Sequence, residues 1–218
     1  RNAGRVGLDA RPDRSWNPEI SGAVQAVGVS EANSAFYAGG HFTTAHGNQR
    51  AWYAAKFSTQ PGAAVDTDFD FVPSSATAGK YQQTIATAGN RVYIGGSEHN
   101  LFGYDAATNQ RVSGAMTFSM GGDLQATTVS SKGVIYGSCH CSDAAYQDMY
   151  VWSMNGSWSR VDEIKWVGAW NAATGESLKW TPFELSSLRK TGAWALETDN
   201  YGNLWVGGDF TLSHTDAT

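Results

Sequence analysis

FYAGGHF, Phe36 to Phe42, returns far down the chain as LWVGGDF, Leu204 to Phe210. Between them stand VYIGGSE, Val92 to Glu98, and a worn version, IYGSCHC, Ile135 to Cys141. Such copies are either accidents of a glycine-rich chain or the beat of a repeat, and a repeat requires further landmarks in the same order. A second landmark follows each copy, an aromatic strand ending in a turn: AAKFSTQPG (Ala54 to Gly62), LFGYDAATN (Leu101 to Asn109) and VGAWNAATG (Val167 to Gly175), with RVGLDA (Arg5 to Ala10) as its N-terminal counterpart. A third is an aromatic, often with Pro beyond it: SWNP (Ser15 to Pro18), DFVP (Asp70 to Pro73), MTFS (Met116 to Ser119) and KWTP (Lys179 to Pro182). Alternating segments then lead into the next Gly pair: AVQAVGV from Ala23, QTIATA from Gln83, LQATTV from Leu124 and AWALET from Ala193.

Each unit reads as short strands separated by turns, with period-two apolar positions, aromatic and β-branched enrichment, and Asn, Asp or Gly at the corners. In LWVGGDF, Leu204 and Val206 take one face and Trp205 the other, and the Gly pair permits a bulge or a close backbone approach. DNYG, AGN and SKG supply the preceding hairpin turns. A few strands cannot bury both faces alone, so such sheets stack around an axis. The expectation is an all-β fold, a β-propeller of repeated short antiparallel sheets with about four blades' worth of sequence, forming one domain over 1–218. Taking Gly40, Gly96, Ser138 and Gly208 as the landmarks, the spacings are 56, 42 and 70 residues. The longest holds an insertion in the third repeat, 143–166, which contains Trp152, Trp158 and Trp166.

Composition bounds the function. The 218 residues are 41% hydrophobic with 25 Gly and nine each of Trp, Tyr and Phe, enough for a substantial core. A net charge of −5 without a basic run argues against nucleic acid or an anionic membrane surface as partner. No window approaches the roughly 18 apolar residues of a membrane span. The opening RNAGRVGLDA has neither an initiator Met nor a signal-peptide core, so the chain reads as a mature or excised piece.

YAGGHFTTAHGNQR, LDARPDRSWNPEISGAVQAVGV and LWVGGDFT resemble the bacterial delta-sixty repeat propellers, whose units carry a tyrosine, Gly-Gly, Asp-Phe-Thr core, an Asn-Gly loop and an Arg-Leu-Asp strand. The likeness is good in the first and last units and degraded in the second and third. DNYGNLW also resembles the strand signature of regulator-type propellers. Either resemblance implies a propeller, commonly in secreted or surface-exposed bacterial proteins with further domains, and neither implies a catalytic residue. The chain starts and stops within a unit. Two readings stand: the N-terminal strands complete the blade begun by Ala193 to Thr211, or the chain is part of a larger propeller.

No catalytic constellation emerges. Ser213, His214 and Asp216 lack a nucleophile elbow. Glu163, Glu184 and Glu197 have no spacing that defines a glycosidase pair, and Thr198 to Trp205 shifts the Gly of a sialidase Asp box. Asp66, Asp68 and Asp70 place carboxylates at alternate positions, a candidate Ca²⁺ site without the full calcium-loop pattern. Asn155-Gly156-Ser157 fits a glycosylation acceptor. The expected function is an extracellular or cell-surface binding or adhesion module that engages a glycan or surface protein through one rim, with Trp152, Trp158 and Trp166 as its aromatic platform. The alternatives are a glycan-active hydrolase or lyase on the same scaffold, or a structural part of a surface fibre or phage tail.

Cys139 and Cys141 are the only cysteines, and no Cys or His spacing for structural zinc accompanies them. In a regular strand their Cα atoms would stand about 6.5 to 7 Å apart at a rise of about 3.3 Å per residue, the upper edge of disulfide reach. A bend at the worn Gly-Gly position would bring them closer. They form either a disulfide fixing that bend, as the resemblance to exported proteins favours, or two buried thiols acting as small apolar residues.

Overall fold

Every Gly-Gly landmark is the second strand of an antiparallel hairpin whose first strand is the alternating segment before it. The computed structural model, which describes residues 2–72, 80–117, 122–141, 143–150, 157–182, 185–186, 192–209 and 211–212, contains four such hairpins: β1 (Ala23–Ser30) with β2 (Ala35–His41), β4 (Gln82–Ala88) with β5 (Arg91–Gly96), β8 (Leu124–Val129) with β9 (Val134–Cys139), and β14 (Ala193–Thr198) with β15 (Leu204–Gly208). All four slip register at one place, between Val24 and Ala26, Gln82 and Thr84, Leu124 and Ala126, and Ala193 and Ala195. The residue opposite the start of the bulge is Gly40, Gly96, Cys139 or Gly208. Cys139, rather than Ser138, therefore holds the second-glycine place of the worn repeat.

The bulge explains the glycines, because it drives the first strand's backbone into the second. A Cβ on Gly40 would stand 2.1 Å from the Ala23 carbonyl oxygen, and one on Gly96 2.2 Å from that of Tyr81.

Third strands follow where the second landmark falls: β3 (Ala54–Ser58), β6 (Asn100–Asp105) and β12 (Val167–Asn171). Their exit turns share one chemistry. The Ser58 hydroxyl accepts the Gln60 N–H, the Asp105 carboxylate those of Ala107 and Thr108, and the Asn171 side chain those of Ala173 and Thr174. Each turn closes on a left-handed residue, Gly62 (φ 89°), Asn109 (φ 62°) or Gly175 (φ 78°).

The repeat frays outward. A full fourth strand, β7 (Arg111–Thr117), exists in the second sheet, whereas in the first and third it shrinks to the bridges Phe57–Val65 and Trp170–Ser177. The insertion forms a hairpin of β10 (Ala144–Gln147) and β11 (Arg160–Glu163), and β10 pairs with β7. It extends the second sheet to six strands, in the order β11-β10-β7-β6-β5-β4, instead of decorating the third repeat. A short ladder of β13 (Leu185–Ser186) and β16 (Thr211–Leu212) lies beside the fourth hairpin in sequence.

The sheets pack face to face with their first strands in one row: β4 on β1, β8 on β4 and β14 on β8. This is the blade arrangement of an all-β propeller. Tyr37 of the first sheet is buried with Val92, Ile94, Phe102 and Tyr104 of the second. Tyr93 of the second is buried with Leu124, Ile135 and Trp170 of the third. Tyr136 of the third packs on Leu196, Leu204 and Val206 of the fourth. The tyrosine-bearing face of each blade thus meets the opposite face of the next. Fully burying one such ring contributes about 1.5–3 kcal/mol. Lys56 joins the first two blades, its Nζ donating to Asp66 (2.9 Å), Asn109 (2.8 Å) and the Ala106 carbonyl (2.9 Å).

The N-terminal segment does not complete the fourth blade. Residues 5–12 make a turn closed by the Val6–Pro12 bridge. The segment lies on the first blade, where Arg5 donates to the Thr59 carbonyl, the Trp16 indole donates to the Ser58 carbonyl (2.9 Å), and the Trp16 ring meets Phe36 edge-on at 4.8 Å.

Candidate functional site

The residue after each Gly pair stands at the end of the second strand, His41 as the last residue of β2, paired with Ala23, and Ser97, His140 and Asp209 just past β5, β9 and β15, so the four recur in equivalent places beside the entries to the first strands. The second entry, Lys80-Tyr81, and the third, Asp123, complete this rim. The His41 and Tyr81 rings meet at 4.6 Å, tilted by 41°, across the first two blades. The Tyr81 hydroxyl donates to Asp123 Oδ2 (3.2 Å), crossing to the third blade, and His99 Nε2 lies 3.0 Å from Asp123 Oδ1. The His140 N–H donates to the Asp123 carbonyl (3.1 Å), and its ring meets Trp194 of the fourth blade edge-on at 4.6 Å. Contacts thus run over all four blades, with the His140 ring tied to Asp123 through main chain and not through the carboxylate.

Position is held by backbone as well as by side chains. Tyr81 and Ser97 clasp each other through the Tyr81 N–H to Ser97 Oγ (3.0 Å) and the Ser97 N–H to the Tyr81 carbonyl (3.1 Å). Burial, the Asp123 charge and the hydrogen bond to it push the Tyr81 hydroxyl above its ordinary value, so it stays a neutral donor. An open cleft of about 450 Å³ lies beside these groups, lined by Ser21, His41, Phe42, Thr43, Tyr53 and Lys80 among others. Glu98, buried at 1% exposure, adds its charge to the burial that raises the Tyr53 hydroxyl. The rim offers half-exposed aromatic rings with donors and acceptors between them, the equipment of a small-ligand site.

Of the predicted aromatic platform, the two described members stand apart. Trp152 lies outside the described residues. Trp158 is 45% exposed and meets Tyr146 edge-on at 5.3 Å, at the hairpin on the far edge of the second sheet. Trp166 is 4% exposed and packs with Val167, Ala193 and Leu196. Its backbone bonds Cys139 and Cys141. Trp166 is a core residue with no face to offer a ligand.

Asp66, Asp68 and Asp70 do not converge. Asp66 faces Lys56 and Asn109, while Asp68 and Asp70 point to solvent. Burial would raise the Asp66 carboxyl, but hydrogen bonds from Lys56 and Asn109 outweigh it and hold it below the usual range. Among the described residues no group of three or more His, Cys, Asp or Glu side chains stands where it could hold a metal ion. Ser213, His214, Asp216, Glu184, Asn155 and Gly156 lie outside the described residues, and Glu163 and Glu197 stand on different sheets.

Cys139 and Cys141 are disulfide-bonded, with Cα atoms 5.1 Å apart. That is shorter than a regular strand allows, so the chain bends where the other repeats have glycine. The rim residues themselves were the unread signal: a polar residue after the Gly pair recurs as His41, Ser97, His140 and Asp209.

No known protein-family model matches the chain, and no curated protein is similar to it in sequence. Solved structures similar in shape include the computationally designed Ika4 protein (12% identity, TM-score 0.49, covering 89% of this chain and 97% of that one). Two others are U3-55K (11%, TM-score 0.42, 74% and 50%) and the WD40 repeats of RRP9 (10%, TM-score 0.45, 79% and 55%). The chain spans about half the length of these last two.

Proposed function

We propose that this propeller is an extracellular binding module that recognises a glycan through the rim built by His41, Tyr81, Asp123, His99, His140 and Trp194. The observation that carries this reading is the series of rings along one rim of four blades: His41 against Tyr81, Tyr81 and His99 on the Asp123 carboxylate, and His140 against Trp194. Aromatic faces cover the apolar face of a sugar while a carboxylate and imidazoles satisfy its hydroxyls, the mixture that fixes orientation in a polar-ligand site. The Cys139–Cys141 bond supports an oxidising location. The delta-sixty resemblance and the bacterial, secreted and adhesive character it implies belong to the same proposal, as does a surface protein as the alternative ligand. A glycan array probed with the wild-type chain and with Trp194→Ala and Trp158→Ala tests it. Binding that falls at least tenfold in Trp194→Ala and is kept in Trp158→Ala supports the rim. Binding lost only in Trp158→Ala, or no glycan bound by any form, refutes it.

A further inference from the structure

The blades meet by one rule, used three times: the tyrosine face of each packs on the opposite face of the next. Tyr37 and Tyr93 obey it at 0% and 1% exposure. Trp205 occupies the same repeat position in the fourth blade, since it lies on β15 where Tyr37 lies on β2 and Tyr93 on β5, each two residues before the Gly pair. Yet it is 64% exposed. Its neighbours on that face, Ala195, Glu197 and Gly207, are exposed too. The indole is held ready, its N–H donating to Asp199 Oδ2 at 3.1 Å. The first blade has the reciprocal vacancy. Val27 and Val29 are 56% and 50% exposed on the face that β4, β8 and β14 use to receive the preceding blade. An apolar cavity of about 340 Å³ lies there, lined by Val6, Trp16, Val29, Phe36 and Thr59 with Arg5 at its side. Phe36 stands where Val92 receives Tyr37.

Among the described residues β14 does not pack on β1 as it packs on β8, so these matching faces stand at opposite ends of one row. We infer that a second copy of this chain covers them: Trp205 of each copy enters the Val29–Phe36 cavity of the other, continuing the inter-blade interface already used within the chain. Pairing of unlike faces is heterologous and closes only as a ring. Two copies supply two identical interfaces and eight blades, the upper end of the usual propeller range. Arg5 beside the cavity is held by Asp13 (2.6 Å), so the junction rests on continuity with the inter-blade packing and not on charge.

Light scattering and sedimentation of the purified chain at about 100 µM test this, a concentration suited to a micromolar interface. The expected mass is twice the 23.4 kDa chain mass, falling to one chain in Trp205→Asp with an unchanged circular dichroism spectrum, because that side chain is exposed within the single copy. A single-chain mass for the wild type overturns the inference, and so does a mass that climbs without limit with concentration. Mixing Trp205→Cys with Val29→Cys under oxidising conditions gives a bond between copies. A chain carrying both cysteines that bonds only to itself shows closure within one molecule and overturns the second copy.

Discussion

Gly96→Ala probes the feature on which the repeat depends, the bulge that presses the first strand of a blade into the second. The new Cβ would stand 2.2 Å from the Tyr81 carbonyl oxygen and 2.7 Å from the Gln82 Cα. Both are backbone atoms, so no rotamer relieves the clash, and the strands must part by about 1 Å to restore ordinary contact. The Tyr81 carbonyl also accepts the Ser97 N–H (3.1 Å) and hydroxyl (3.2 Å), which the movement strains. Overpacking of this kind costs about 1–3 kcal/mol, and a weakened hydrogen bond adds about 1 kcal/mol. The sum of about 2–4 kcal/mol lowers the melting temperature by about 5–15 °C at this chain length. Gly207→Ala is the matched control. Its Cβ would meet nothing nearer than the Ala195 Cβ at 3.7 Å, and it loses freedom chiefly in the unfolded chain, a gain of about 0.4–1 kcal/mol. Thermal unfolding followed by circular dichroism reads both. Equal melting temperatures for the two variants would refute the bulge argument.

Trp166→Ala is expected to cost about 3–5 kcal/mol as a buried aromatic, and Trp158→Ala less than about 1 kcal/mol, in urea unfolding; similar losses would contradict the burial difference. Lys56→Met removes the cation that holds down the Asp66 carboxyl. A carboxyl lowered by folding contributes stability that is complete above the unfolded value of about 4 and fades as pH falls through the lowered folded one. The wild type therefore loses more stability between about pH 5 and 3 than Lys56→Met does, and parallel pH curves would show that the pair is not formed. Alkylation of the denatured, unreduced protein should add no alkyl groups by intact mass, because both cysteines are bonded; two additions would show free thiols.

The fold was legible because its signals are local and repeated. Gly-Gly landmarks, turn residues and alternating segments each report backbone constraints within a few residues, and the structure places a hairpin at every one. The third-strand turns were legible for the same reason, since Asp105 and Asn171 cap them with one side chain each. Legibility failed where partner choice decides. Asp143 to Trp166 sits in the third repeat by order, but its hairpin pairs with the free edge of β7, a choice set by which edge lies open in space. Trp152, Trp158 and Trp166 were grouped by closeness in sequence, yet Trp166 turns into the core at a left-handed φ of 63° while Trp158 stays at the sheet edge. The rim was missed because its members come one or two from each unit. His41, Tyr81, Asp123 and Trp194 are far apart in sequence and meet only when the blades stack.

A glycan bound at the rim would cover the side chains beside the entries to the first strands. Hydroxyl-radical footprinting with and without the best-binding glycan tests it most directly, because the method reads Tyr, His and Trp side chains in the intact chain. Protection of His41, Tyr81 and Trp194 is expected, with Trp158 unchanged. Protection confined to Trp158 and Tyr146, with the rim unaltered, would contradict it.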